Sequence, residues 1–428
     1  MIKVKVRFYE ELSDYLPLDL RKREFEIEIE EGKKVRDILK IFGIKEREVH
    51  LILVNGENSF LDREIKEGDR VSFYPIFETI DISPIKIINE KRVKESIYEF
   101  RGDYTICLVC ERRCKLKRGD VGFCKTRMNV EGKVYTLIYG DISSICVNPI
   151  EKKPFFHFYP GTKALTASSW SCNFLCPWCQ NYEISKAPYN IGKGKFISPE
   201  KFIDLMEKFK CEGTSISFNE PTLLLEYSLD LFKLAKKKNY YNTFVSNGYM
   251  TEKALNLLID SGLDAINFDI KGNREFVKRY CGADLEKIWR NIKIAKEKGL
   301  WVEIITLVIE GYNDREEDIR EIARRIRDEI GEDIPYHLTR YFPAYKFDAP
   351  PTSVKRLEIL RDIAKEEGLY YVYIGNVPGH RYENTYCHKC GTLLIKRYIF
   401  DIIENRIING KCFNCGENIR GFFKILES

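Results

Sequence analysis

No run of eighteen apolar residues occurs anywhere in this 428-residue chain, although 44% of it is hydrophobic. A membrane-spanning helix is therefore not expected. The opening MIKVKVRFYEELSDYL lacks the apolar core of a secretory signal, so the expected location is the cytoplasm. Charge of one sign is missing too. Seventy Lys and Arg against 65 Asp and Glu leave a net charge of +5, which gives no reason to expect nucleic acid as a partner. A mean hydropathy of −0.33 fits a soluble globular protein, and the length allows one large domain with one to three small ones.

Cysteine, by contrast, is plentiful. Eleven of the fourteen fall in three clusters with metal-ligand spacing, which in a non-secreted chain reads as metal binding rather than disulfide stapling. Cys146, Cys211 and Cys281 stand alone and read as small core residues. The central cluster lies in Leu165 to Tyr182, LTASSWSCNFLCPWCQNY, where Cys172, Cys176 and Cys179 are spaced C-x3-C-x2-C. Three thiolates hold three irons of a cubane and leave the fourth iron open. A ferredoxin-like cluster would supply a fourth Cys close by, and a zinc knuckle prefers C-x2-C pairs. With Trp178 just before the third Cys, the stretch resembles the signature of the radical S-adenosylmethionine (SAM) superfamily. That resemblance implies a [4Fe-4S] cluster on Cys172, Cys176 and Cys179, with SAM chelating the open iron and Trp178 packing near the adenine. It also implies reductive cleavage of SAM to methionine and a 5′-deoxyadenosyl radical that abstracts a hydrogen atom.

Residues 1–80 show period-two alternation in IKVKVRFY and EFEIEIE, helical spacing at Val35, Ile38, Leu39 and Phe42, and further strands at His50 to Val54 and Arg70 to Tyr74. Turns are expected at Asn55-Gly56 and Gly68-Asp69. Strand, strand, helix, strand, strand is a β-grasp, and the order with VNG and EGDRV resembles the ubiquitin-like sulfur carriers. Those carriers end in a free Gly-Gly, whereas here Tyr74-Pro75-Ile76-Phe77 runs on, so a docking or regulatory module is expected instead.

Residues 81–155 contain a linker, from about Ile80 to Tyr98, and the second cluster, Cys107, Cys110, Cys114 and Cys124 in CLVCERRCKLKRGDVGFC. Four thiolates satisfy a tetrahedral zinc, with Gly119 and Gly122 for its turns; a second cubane is the rival, and the C-x2-C pair favours zinc. In NPIEKKPFFHFYPG, His157 reads as structural. Residues 381–428 carry the third cluster, Cys387, Cys390, Cys412 and Cys415, whose two C-x2-C pairs read as a zinc ribbon.

Residues 156–380 alternate strand and helix. Seven strands are expected, Ala164 to Trp170, Thr214 to Phe218, Tyr241 to Val245, Ala265 to Lys271, Trp301 to Ile309, Tyr336 to Tyr341 and Tyr370 to Asn376. Repeated βα units give an incomplete (β/α)6-type TIM barrel, an α/β fold with its chemistry at the C-terminal strand ends. Polar residues stand at those ends: Asn219 and Glu220, Ser246 and Asn247, Asp269 and Lys271, and His337. Glu220 would accept from the methionine ammonium, Ser246 and Asn247 would reach the ribose, and Lys271 would pair with the methionine carboxylate.

NEPT, SNG, DIKG, HLTRYFPAY and YIGNVPG together resemble glycyl-radical-enzyme activating enzymes such as pyruvate formate-lyase activating enzyme. They are more similar still to the radical SAM member of the AmmeMemoRadiSam group, with Arg112 where that group's knuckle has a histidine. The resemblance implies an activase-like oxidoreductase, a reductant such as ferredoxin or flavodoxin, and a glycyl-radical enzyme as protein substrate. A small molecule or cofactor precursor is the alternative substrate, and a metal-rich electron-transfer scaffold the alternative class.

Overall fold

The computed structural model describes residues 1–21, 23–75, 92–186 and 191–423. Residues 76–91 lie outside the described residues, which takes in most of the linker expected from about residue 80 to residue 98 as well as Ile76 and Phe77. The chain divides into two compact units, residues 1–82 and 83–428. The segments 81–155, 156–380 and 381–428, distinct in sequence, thus fall almost entirely in the second unit.

In the first unit, β1 (Ile2–Phe8), β2 (Phe25–Ile29), β3 (Val49–Val54), β4 (Glu57–Asn58) and β5 (Arg70–Pro75) form a sheet in the order β2-β1-β5-β3-β4, with α1 (Val35–Ile41) between β2 and β3. β1 and β5 run parallel. Alternation sends Val4, Val6 and Phe8 inward against Ile38 and Leu39 of the helix and Val71 and Phe73 of β5, all at most 1% exposed. Asn55 and Gly56, both at positive φ, close the β3–β4 hairpin, as their type I′ preference requires.

The second unit starts with small sheets around the second cysteine cluster. β6 (Lys94–Glu95) joins the hairpin of β10 (Arg127–Val130) and β11 (Lys133–Thr136), while β7 (Tyr98–Phe100), β8 (Thr105–Cys107) and β9 (Lys115–Leu116) form another. A short β12 (Asp141–Ile142) pairs with β15 (Lys195–Phe196).

The main sheet has the order β13-β14-β16-β17-β18-β19-β20-β21. Its strands are β13 (Ser144–Pro149), β14 (Lys163–Ser168), β16 (Gly213–Ile216), β17 (Tyr241–Ser246), β18 (Ala265–Asp269), β19 (Trp301–Val308), β20 (Tyr336–Arg340) and β21 (Val372–Gly375). From β14 onward all neighbours are parallel, so the seven expected strands are present in sequence order. β13, which the sequence reading did not single out, is an antiparallel edge strand. Among the described residues no ladder joins β21 to β13, so the sheet is open.

Helices follow the strands: α2 (Tyr182–Ser185) and α3 (Pro199–Lys208), α4 (Leu225–Lys237), α5 (Glu252–Asp260), α6 (Arg274–Phe276) and α7 (Leu285–Glu297), α8 (Glu316–Arg325), and α9 (Val354–Glu366). Ser198 and Thr251 cap α3 and α5 by accepting from Lys201 N and Ala254 N, as their sequence positions suggest. The tail adds β22 (Thr385–Tyr386), β23 (Leu393–Tyr398), β24 (Asp401–Asn405) and the hairpin β25 (Ile407–Ile408) with β26 (Lys411–Cys412). Leu394, Ile395 and Cys412 pack with Phe156, Tyr371 and Tyr373, which anchors the tail to β21.

Candidate active site

The loop after β14 enters its first cysteine through Ser171, a non-glycine residue at φ +74°. A left-handed serine costs energy, and neighbouring bonds hold it there. Ser171 Oγ donates to Cys124 O at 2.6 Å, and its carbonyl accepts from Asn219 Nδ2 at 3.0 Å. Asn219 Oδ1 in turn accepts from Ser169 N at 3.1 Å. Phe174 N donates to Cys172 Sγ at 3.3 Å, and Asn247 Nδ2 donates to Asn173 Oδ1 at 2.8 Å while lying 3.9 Å from the same sulfur.

A cavity of about 460 Å³ opens inside this loop. Cys172, Cys176, Cys179 and Trp178 line it, and the strand ends contribute Asn219, Glu220, Ser246, Asn247, Asp269, Lys271 and His337. The structure therefore gathers these residues, more than 160 positions apart in the chain, around one space. They do not all arrive free. Glu220 Oε1 accepts from Thr222 N at 3.0 Å, from the Thr222 hydroxyl and from Ser246 Oγ at 2.7 Å, and its Oε2 accepts from Asn247 N at 2.9 Å. Burial raises the Glu220 carboxyl above its ordinary pKa despite these donors. Asp269 and Lys271 form a close ion pair. Burial alone would lower the Lys271 ammonium, but the charge of Asp269 outweighs it and holds the lysine above its usual range.

His337 Nε2 lies 2.7 Å from Glu303 Oε2, and neither side chain exceeds 1% exposure. Glu303 also accepts from Phe156 N, His157 N and Trp301 Nε1 at 2.9 to 3.0 Å. Trp178 is buried between Phe276, stacked at 5.1 Å, and the edges of Tyr280 and Phe347, each at 5.6 Å.

Buried wall atoms without a hydrogen-bond partner among the described residues include Glu151 Oε2, Ser217 Oγ and Asp269 Oδ1, all on residues lining the cavity. Buried polar atoms without partners are costly unless a ligand satisfies them. Three thiols beside an unmatched carboxylate oxygen and hydroxyl suit an iron-sulfur cluster with a polar ligand that carries ammonium and hydroxyl groups.

Sequence reasoning missed several neighbours. Cys281, read as an isolated core thiol, sits with Sγ 3.5 Å from Cys176 Sγ, and this contact lowers the Cys176 thiol despite burial. Cys172 goes the other way, pushed up to about 12 by burial. Arg112 donates to three carbonyls, Asn173 O at 2.9 Å, Gly282 O at 2.6 Å and Cys281 O at 2.9 Å, so it clamps the cysteine loop to the segment after β18. Lys153 is 2% exposed, lines the cavity, and rests with Nζ 3.8 Å from the centre of the Phe218 ring. Its signal was present in NPIEKKPFF, two adjacent lysines inside an apolar run. His157 is buried between Arg420 O at 2.8 Å and Tyr373 Oη at 2.7 Å, a bonded structural residue as read.

A family model described as the radical SAM superfamily matches residues 171–326, which contain the three cysteines and three of the four polar strand ends, those of Glu220, Asn247 and Lys271. An uncharacterized protein of Methanocaldococcus jannaschii is 43% identical over 316 residues, covering 73% of this chain and 94% of that protein. The chain belongs to the radical SAM superfamily. Membership implies a [4Fe-4S] cluster and SAM, and the arrangement just described fits both. A second model, Mut7-C ubiquitin, matches residues 1–81 and accounts for the ubiquitin-like first unit. Another protein of M. jannaschii, named for activation of a glycyl-radical enzyme, is 26% identical over 176 residues, 40% of this chain and 71% of its own. The GTP 3′,8-cyclase of Aquifex aeolicus is 24% identical over 162 residues, 36% of this chain and 48% of its own. Among solved structures, a domain of pyruvate-formate lyase-activating enzyme from Bacteroides vulgatus is 20% identical, covering 38% of this chain and 99% of that one, with a TM-score of 0.34. No helix among the described residues is long and apolar enough to cross a membrane.

Proposed function

We propose that this radical SAM enzyme generates a 5′-deoxyadenosyl radical to abstract hydrogen from a glycyl-radical-enzyme-like protein substrate. The observation that carries the reading is the convergence of three cluster thiols and the polar strand ends on one cavity of about 460 Å³. With SAM bound, the cluster supplies the electron that splits SAM into methionine and the radical.

The chain's own residues divide the remaining work. Cys172, Cys176 and Cys179 would hold the cluster. Glu220 shapes the Ser246-Asn247 turn through two of its four accepted hydrogen bonds, from Ser246 Oγ and Asn247 N, and keeps part of Oε2 for the methionine ammonium. Lys271, held charged by Asp269, supplies a cation for the methionine carboxylate, while the free Asp269 oxygen offers an acceptor. The aromatic cluster around Trp178 excludes water from one wall. A low-potential ferredoxin or flavodoxin is the proposed electron donor. Zinc is the proposed occupant of Cys387, Cys390, Cys412 and Cys415.

One observation favours a second reading, a small-molecule substrate. Glu383, Ile399 and Phe400 of the tail line the same cavity, so this chain itself supplies part of the wall that a visiting protein loop would otherwise complete. Anaerobic incubation with SAM and a strong reductant tests the shared chemistry, because methionine and 5′-deoxyadenosine should form even without substrate. A loaded, reducible cluster that yields neither product would overturn it. An oxygen-sensitive glycyl radical on a co-purified protein would support the activase reading, and its absence alongside turnover of a small molecule would favour the second.

A further inference from the structure

We propose that the hollow between Cys107, Cys110, Cys114 and Cys124 holds a second [4Fe-4S] cluster rather than zinc. The tail provides an internal standard for a single-ion site. There Cys387 Sγ lies 3.7 Å from Cys415 Sγ, Cys390 Sγ lies 3.7 Å from Cys412 Sγ, and all four sulfurs are within 4.8 Å of one another. Tetrahedral zinc with bonds of about 2.3 Å places its sulfurs about 3.8 Å apart, so the tail has zinc spacing.

The first four cysteines are arranged differently. Among the described residues the tail set is the one group of three or more ligating atoms that closes within 4.8 Å, and the Cys107 set does not. Its four residues instead line a hollow of about 10 Å³, room for the centre of a water-sized sphere. Sulfurs drawn to about 2.3 Å around one ion leave no such room. A cubane binds each thiolate through a different iron, spreads the sulfurs apart and fills the space between them.

The ligand set is complete without other donors. No histidine occurs between residues 92 and 136, and Arg112, which lines the hollow, has no lone pair to offer. Two protein groups already point at the sulfurs: Phe123 N donates to Cys114 Sγ at 3.3 Å, and Thr126 Oγ1 lies 3.1 Å from Cys124 Sγ. Hydrogen bonds to sulfur are among the means by which a protein sets the potential of such a cluster. The site also touches the first cluster's loop, through Ser171 Oγ on Cys124 O and Arg112 Nε on Asn173 O.

Metal analysis of the full chain, reconstituted anaerobically with iron and sulfide, tests the proposal whether or not SAM is cleaved. The expected content is about eight irons, eight sulfides and one zinc per chain. About four irons with two zincs would overturn it. In the Cys172→Ala, Cys176→Ala, Cys179→Ala triple variant, about four irons and a dithionite-reducible paramagnetic signal should persist. A folded triple variant without iron would also overturn it, and if that variant does not fold, the iron-to-zinc ratio of the unaltered chain decides.

Discussion

Burial decides the charge state of Lys153. It is buried against Phe218, with no carboxylate paired to it among the described residues, and burial lowers its ammonium to about 7. Below about pH 7 both folded and unfolded chains carry the charge, and the folded state bears the full cost of burying it. Above that pH the folded chain sheds the proton while the unfolded chain keeps it up to the ordinary value of 10.5. The unfolded state then binds more protons, so this residue makes stability rise with pH between about 7 and 10.5, by about 1.4 kcal/mol per pH unit. Denaturant midpoints measured across that window should rise less steeply in Lys153→Met. An unchanged slope would show that the amine is charged in the fold.

Glu220 differs from its sequence reading at the same scale. Its position at a strand end was legible, but two of its four donors were not, because Ser246 and Asn247 lie 26 and 27 residues away, whereas the other two come from nearby Thr222. Glu220→Ala should therefore lower thermal stability as well as SAM affinity, since it strands buried donors at about 1 to 3 kcal/mol each. Glu220→Gln, which keeps an acceptor oxygen, should lose less. SAM affinity is read by equilibrium binding and stability by thermal melting. Loss of affinity without loss of stability in Glu220→Ala would leave Glu220 as a ligand contact alone.

At the scale of elements, the main sheet was readable because each parallel strand is a short apolar run followed by an amphipathic helix, a pattern that survives without knowledge of contacts. What stayed hidden depended on distant partners. β13 became a strand only by pairing with β14, and Glu303, the one acidic residue of WVEIITLV, is buried because His337 and three N–H groups meet it. Cys281 looked isolated because its neighbour Cys176 is 105 residues away. One buried ion pair joins the knuckle region to the main sheet: Arg127 of β10 and Glu226 of α4, 2.9 Å apart and nearly inaccessible. Arg127→Ala should destabilise the second unit by about 3 to 5 kcal/mol, because Glu226 keeps a buried charge without its partner. Replacing both by apolar residues, Arg127→Met with Glu226→Leu, should recover much of that loss in a urea titration. A double variant no more stable than the single one would place the cost in packing instead.

At the scale of the molecule, the first unit is built to stand alone. Its core runs from Ile2 to Phe73 and draws its buried residues from the strands, the helix and the segments that connect them, including the Phe8 and Phe73 rings stacked at 4.9 Å. All the cavity-lining residues, by contrast, belong to the second unit, from Glu151 onward. A fragment of residues 1–82 should therefore unfold cooperatively by itself, although a domain of this size buries a modest fraction of its surface and melts at low denaturant. The complementary fragment, residues 83–428, should keep the iron content of the full chain and cleave SAM at a comparable rate. The first unit would then act on something other than the cleavage step, in keeping with a docking or regulatory role. A fragment 83–428 that folds and holds its iron yet no longer binds SAM would show instead that the ubiquitin-like unit completes the site.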